Sequence, residues 1–301
     1  MASTERIVVL TRHPEAHGVA RLEEAAQSSG IELHLVDAHE FELATGPADK
    51  GRVAVAAHPE LGDDWTNTVV IPRLGSLATE YSLAVLDMLE RSGASVLNSY
   101  YGLTRLRHKF SALAELAAAG LPVPESVMLR APADIGPAVE QLGGYPVVVK
   151  FIRGSQGVGV IIAPDSATVT SVVEAMNLVQ YDVMLQRYYP AARDTDLRVL
   201  MINGEPRWAV RRRSAQGAFR ANFHRGGTAE PVELTEQIAG LATRAAQCFD
   251  LGLAGVDLIE DNGNLLVLEV NGSPGYQTVE DVHGVDVAMA VVNAALELLR
   301  G

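Results

Sequence analysis

Lys150 closes a run of three valines and is followed by Gly154, Ser155, Gln156, Gly157 and Gly159. Glycines this close together let the backbone approach a ligand and aim several N–H groups at one anion. The lysine upstream adds a point charge suited to phosphate. Neither of the common phosphate patterns is present: no Lys-Ser or Lys-Thr follows the glycines, and no Gly-x-Gly-x-x-Gly opens a helix. From these residues alone, a glycine-rich hairpin carrying a surface lysine is an equal reading.

Asp257, Glu269 and Asn271 form a second group. Glu269 and Asn271 flank Val270, so on a strand they share a face. A hairpin turning at Asn262–Gly263 returns Asp257 beside them. Three oxygen donors with no sulfur or paired histidine suit Mg²⁺. A solvated hairpin edge is the alternative, and the apolar Leu-Val-Leu before Glu269 counts against it, because an acid there needs a partner.

The third group is basic. Arg207, Arg211, Arg212, Arg213, Arg220 and Arg225 stand close to a single acid, Glu205, in a chain whose formal net charge is −13. That segregation points to an anionic ligand, and a charged strand edge is the competing account. Arg220 and Asn222, beside Gly226 and Gly227, are favoured for the ligand. Arg207, Arg211 and Arg213 are expected to share one strand face, with Arg212 on the other. No Ser–His–acid or Cys–His arrangement emerges, and Cys248, the one cysteine, falls in an apolar helix.

The elements that must position these residues divide into two kinds. Apolar strands at 7–10, 31–36, 68–71 and 96–97 alternate with helices at 20–28 and 82–91, which predicts a mostly parallel α/β sheet. A loop is expected at 47–50. Past residue 98 a helix is predicted over 104–119, with strands at 126–129, 146–152, 183–189, 197–202, 207–213, 256–260 and 265–270. Helices are predicted at 169–177, 235–249 and 285–299. Asn203–Gly204 and Asn262–Gly263 favour antiparallel hairpins. At 301 residues two domains are expected, with the boundary near 104. Hydrophobic residues at 48% and charged ones at 20% describe an ordered globular chain. The acidic balance opposes nucleic-acid binding, too few aromatics accompany the arginines for base stacking, and no apolar run is long enough to span a bilayer. A cytoplasmic protein is expected.

In order along the chain, Lys109, Lys150 with its GSQGVG loop, MLQRY at 184–188, DLR at 196–198, FRAN at 219–222, HRGG at 224–227, GVD at 255–257 and EVNGSPG at 269–275 resemble the ATP-grasp superfamily. Within it the chain is similar to the RimK family of α-L-glutamate ligases, over nearly its whole length and including VIPR at 70–73. The resemblance implies a pre-ATP-grasp α/β domain over 1–104. It also implies an α+β ATP-grasp domain with antiparallel sheets over 105–301, divided into a central part at 105–185 and a catalytic part at 186–301. It implies that Lys109 and Lys150 reach the ATP phosphates and that Gly154, Ser155, Gln156 and Gly157 cover them. Arg187 and Tyr188 fall at the adenine hinge, Asp196 near the ribose, and Arg220, Ala221 and Asn222 along the nucleotide. Lys150 and Arg220 take the catalytic positions, while Asp257, Glu269 and Asn271 hold two Mg²⁺ or Mn²⁺ ions. The implied reaction joins L-glutamate to an acceptor carboxylate, such as an acidic protein tail, through an acyl phosphate; a homo-oligomer is expected. Other amino acids, small-molecule or peptide acceptors, and a non-catalytic nucleotide-binding regulator are the alternatives. The family commonly carries a glutamate at the hinge where this chain has Arg187.

Overall fold

Short, fully apolar strands can be buried on both faces only if helices cover both sides, and the first hundred residues do this. A computed structural model describes residues 5–46, 54–75, 78–129, 134–152, 159–214 and 227–301. Gly154, Ser155, Gln156, Gly157, Arg220, Ala221, Asn222 and the loop expected at 47–50 lie outside them. The chain runs through β1 (Arg6–Leu10), α1 (His17–Ser28), β2 (Glu32–Val36), β3 (Glu42–Thr45), β4 (Ala54–Ala57), β5 (Thr68–Pro72), α2 (Glu80–Arg91) and β6 (Ser95–Val96). The order β2-β1-β5-β6 makes a parallel sheet, with β3 and β4 paired separately. Alternation sorts its side chains: Ile7, Val9, Val69 and Ile71 face α1, whereas Val8, Leu10 and Val70 face α2. Thr79 caps α2 reciprocally with Ser82.

The helix expected over 104–119 is two helices, α3 (Tyr100–Leu106) and α4 (Lys109–Ala118). His108 leaves the helical region between them and accepts the Ser111 N–H through Nδ1, capping α4. The Lys109 N–H is turned toward Ile152 O at 3.4 Å, which ties the start of α4 to the strand carrying Lys150. Local propensity favours one continuous helix, and this tertiary contact overrides it.

Next come β7 (Ser126–Met128), α5 (Ile135–Gln141), β8 (Val147–Phe151), β9 (Val160–Ala163), α6 (Ser166–Leu178) and β10 (Val183–Arg187). They form an antiparallel sheet, β7-β10-β8-β9, backed by α5 and α6. The largest sheet follows, from β11 (Thr195–Ile202), β12 (Glu205–Arg213), β13 (Thr228–Val232), α7 (Glu236–Gln247), β14 (Ala254–Asp261) and β15 (Asn264–Asn271). Its order is β13-β12-β11-β14-β15, antiparallel throughout. Both Asn-Gly pairs turn hairpins with positive φ at each residue, 54° and 73° at Asn203–Gly204 and 50° and 84° at Asn262–Gly263. One face of this sheet packs on α4 and α7.

The chain ends with α8 (Gln277–His283) and α9 (Val287–Arg300). Helix α9 returns to the first sheet, where Val287, Val291 and Ala295 pack with Ile7, Val69 and Ile71. Among the described residues no single helix is long and apolar enough to cross a membrane.

Candidate active site

The alternation of β11 puts Asp196 and Arg198 on one face. Antiparallel register sets Asp196 opposite Arg212 on β12, Arg198 opposite Asp257 on β14, and Asp257 opposite Glu269 on β15. The result is a row of opposed charges across β12, β11 and β14, with a second acid at its end on β15. Arg212 donates to both oxygens of Asp196 at 2.6 and 2.7 Å, and Arg198 to both oxygens of Asp257 at 2.7 Å. Arg212 also reaches Asp257 Oδ2 at 3.0 Å. Such forked pairs are the strongest that arginine makes.

The two carboxylates differ. Burial pushes against ionisation of Asp257, but Arg198 and Arg212 together outweigh it and hold its carboxyl below the usual range. Asp196 has Arg212 beside it and the Asp257 charge behind, so burial wins and its carboxyl is pushed up. Arg212 loses from burial and gains more from the two carboxylates, which raises its pKa.

Of the expected metal trio, Glu269 and Asn271 lie on one face of β15 with Val270 buried between them. Asn271 Nδ2 is 3.5 Å from Asp257 Oδ2, so the hairpin brings all three together. Asp257 already accepts from two arginines; Glu269 has the Lys109 ammonium 3.6 Å away. Among the described residues no group of three or more histidine, cysteine, aspartate or glutamate side chains is placed to hold a metal, the present set being two carboxylates and an amide.

Lys150 stands opposite Met184 on β10, and Met184 belongs to the apolar cluster under the large sheet. Its side chain therefore faces the crevice between the two antiparallel sheets. Burial first, and then the Lys109 charge, pushes its pKa from 10.5 down to about 8 against the opposing pull of Glu269 and Asp257. Two ammonium groups thus lie near Glu269 and Asp257, and among the described residues neither has a carboxylate at close hydrogen-bonding distance.

Arg187 ends β10 in the open, its N–H on Glu125 O at 2.9 Å and its guanidinium 3.3 Å from the Glu125 carboxylate. Tyr188 follows it, half-buried. On β12, Arg212 is largely covered and Arg213 is exposed, as alternation requires, while a register shift between Leu200 and Met201 leaves the exposed Arg207 without a partner across β11 and breaks the alternation between it and Arg211. Neighbouring strands supply acids that the linear sequence does not place near them. Glu230 lies 3.7 Å from Arg211 and 3.2 Å from Arg213, and Glu260 lies 3.8 Å from Arg211. Because β13 pairs outside β12, these arginines do not guard a free edge either.

Two residues escaped assignment. Arg198 was visible as the residue two places after Asp196, and so on its face. Arg73 was read only as the end of the VIPR stretch at 70–73 and given no role; the fold brings it to the loop after β15, where Nη2 donates to Pro274 O at 2.9 Å.

Residues 106–295 match the model of the RimK-like ATP-grasp domain, and residues 6–103 that of the RimK pre-ATP-grasp domain. The chain is 35% identical over 287 residues to the probable alpha-L-glutamate ligase 1 of Shewanella amazonensis, covering 95% of this chain and 94% of that one. It is also 35% identical over 288 residues to the probable alpha-L-glutamate ligase of Thioalkalivibrio sulfidiphilus, covering 96% and 94%. Two solved structures share the fold. The RimK domain ATP-grasp protein of Sphaerobacter thermophilus superposes with a TM-score of 0.72 at 21% identity, covering 96% of this chain and 98% of that one. The ATP-grasp ligase PsnB, complexed with minimal precursor, Mg and ADP, gives 0.73 at 22% identity, covering 99% of each. With its parallel first sheet, its two antiparallel sheets and these relatives, the chain belongs to the RimK family of ATP-grasp enzymes, which are ADP-forming ligases.

Proposed function

We propose that this enzyme joins the amine of L-glutamate to an acceptor carboxylate, by way of an acyl phosphate made from ATP. The observation that carries the reading is the proximity of Lys109 and Lys150 to each other and to Glu269. Two cations held close together and partly out of water repel each other, and a polyphosphate between them would turn that cost into binding. In this reading the residues divide at 104 into the two domains expected from the sequence, and the protein works in the cytoplasm.

Glu269 and Asn271 offer oxygens to Mg²⁺, and Asp257, its charge already matched by arginine, has one lone pair left on Oδ1. The donor set therefore fits a hard cation that keeps much of its water. When bound, such a cation would draw charge from the phosphate oxygens during transfer. The chain's own groups do the rest. Lys109 and Lys150 hold the phosphates, and Arg198 and Arg212 are fixed by their aspartates with the remaining N–H groups available to an oxyanion. Gly154, Ser155, Gln156, Gly157, Arg187, Tyr188, Asp196, Arg220, Ala221 and Asn222 complete the proposed nucleotide site.

The names of the relatives support glutamate as the amine donor. An acidic peptide tail is the acceptor this reading favours. Incubation with ATP, Mg²⁺, L-glutamate and a peptide ending in glutamates should release ADP and add glutamyl residues, read by mass spectrometry. ADP release without any glutamyl product, across peptide and small-molecule acids, would sink the reading.

A further inference from the structure

Strand β1 leads through α1 to β2 on one side, and β5 leads through α2 to β6 on the other. The crevice outside the carboxyl ends of two strands that diverge in this way is where open parallel sheets bind ligands. Arg73 follows β5 at that point, its N–H on Leu10 O, the last residue of β1, at 2.8 Å. The side chain spans from the first sheet to the loop of the large sheet. Besides the bond from Nη2 to Pro274 O, it lies over Tyr276 with its carbon 5.5 Å from the ring centre.

Nε and Nη1 of Arg73 are buried and, among the described residues, have no hydrogen-bond partner. Arg73 forms no ion pair among them, and burial lowers its pKa, with only Tyr276 opposing. A buried charge left in this way is costly unless something pairs with it. The first turn of α1 lies alongside: a Cβ on Gly18 would stand 3.2 Å from Nη2. That helix begins at Ala16, which offers no side-chain cap, and no acid sits in its first turn. The acid that comes near, Glu280, serves His17, Arg21 and the N–H groups of Val287 and Ala288.

Pro274 ties the crevice to the proposed reaction centre. A Cβ on Gly255, two residues before Asp257, would meet Pro274 Cβ at 2.9 Å, and Asn271 begins the same loop. We propose that Arg73 and the uncapped first turn of α1 form the subsite for a carboxylate of the amino-acid substrate that takes no part in the reaction. This rests on the ligase reading above. A planar, forked donor suits a carboxylate, and the phosphates already have the two lysines.

The test is equilibrium dialysis of radiolabelled L-glutamate against the full chain with ADP and Mg²⁺. Arg73→Met should weaken glutamate binding by about thirty-fold or more, as expected for loss of a charge-assisted pair. Arg73→Lys should be intermediate, and ADP affinity unchanged. The melting temperature of the Met variant without ligand should hold or rise, because an unpaired charge has been removed. Competition with L-glutamine and L-isoglutamine identifies the carboxylate that is read: the amide lacking it competes poorly in the wild type. Arg73→Met should bind that amide and glutamate alike.

Equal glutamate binding by wild type and Arg73→Met would overturn the proposal, as would no glutamate binding by the wild type. So would displacement by inorganic phosphate with no amide discrimination, which would make the site a phosphate site. Loss of ADP affinity and of melting temperature in both variants would reduce Arg73 to a structural role. Arg73-dependent glutamate binding without glutamyl product would instead count against the ligase reading alone.

Discussion

Replacing Lys150 with methionine should make the free protein more stable and its grip on ATP weaker. Burial brings the ammonium from 10.5 to about 8. A drop of about 2.5 units, at roughly 1.36 kcal/mol each, makes about 3 kcal/mol the ceiling on what the buried charge costs at neutral pH. The side chain keeps some contact with solvent, which lowers the figure. The sign follows from proton counting. Between pH 8 and 10.5 the folded chain carries fewer protons at this site than the unfolded one, so its contribution to stability rises with pH across that window. Below pH 8 both states are charged and the full cost is present. Methionine keeps the volume without the charge, so without nucleotide at pH 7 its melting temperature should rise by a few degrees. The rise should vanish as the pH approaches 10. Titration calorimetry should show the opposite for ATP, weaker by about 10- to 100-fold through loss of a charge-assisted bond, with adenosine binding unchanged. Wild-type affinity for ATP should itself fall above pH 8, where binding must first take up a proton, and the variant should lack that slope. A variant less stable at pH 7, or equal in its affinity for ATP, would refute this account of Lys150.

Glu269→Gln keeps the shape beside Lys109 and removes a charge; turnover should fall about 10²-fold or more with folding intact, measured as ADP release at saturating Mg²⁺. Near-normal release would remove Glu269 from the chemistry. Asp257→Asn leaves two buried guanidiniums without their shared counter-charge and should cost about 3–5 kcal/mol by denaturant unfolding. Because its carboxyl is held below 3.8, the wild type's gain from Asp257 is complete above that pH and lost as the pH falls through the lower folded value, a slope the variant should lack. Asn98→Ala removes bonds to Leu253 O, Gly272 O and Leu253 N at 2.6, 2.7 and 2.9 Å in a buried place. Unpaired backbone groups should cost about 2–4 kcal/mol, read by thermal melting.

Period and punctuation made much of the frame legible. Val8, Leu10 and Val70 against Ile7, Val9 and Ile71 follow from strand alternation, and both Asn-Gly hairpins turn where that pair predicts. The face shared by Glu269 and Asn271, and the return of Asp257, were legible for the same reason. The break at His108 was not, because the contact that bends the chain there comes from Ile152. Neither were the acids on β12's arginines: Glu230 and Glu260 are distant in sequence and arrive by register. Arg73 is the clearest case, since its meaning depends on a loop 201 residues away.

Helix α9 has a consequence for how the chain comes to be folded. Its apolar side closes one face of the first sheet, and Arg300 meets Glu5 at 2.6 Å. Helix α1 shares that face, so its cover is completed only when residues 287–300, made after β1 and β5, have docked beside α1. A version of the chain opened in an exposed turn, such as Asn262–Gly263, with residues 300 and 5 joined by a short linker, would place α9 and β1 side by side in synthesis and remove that wait.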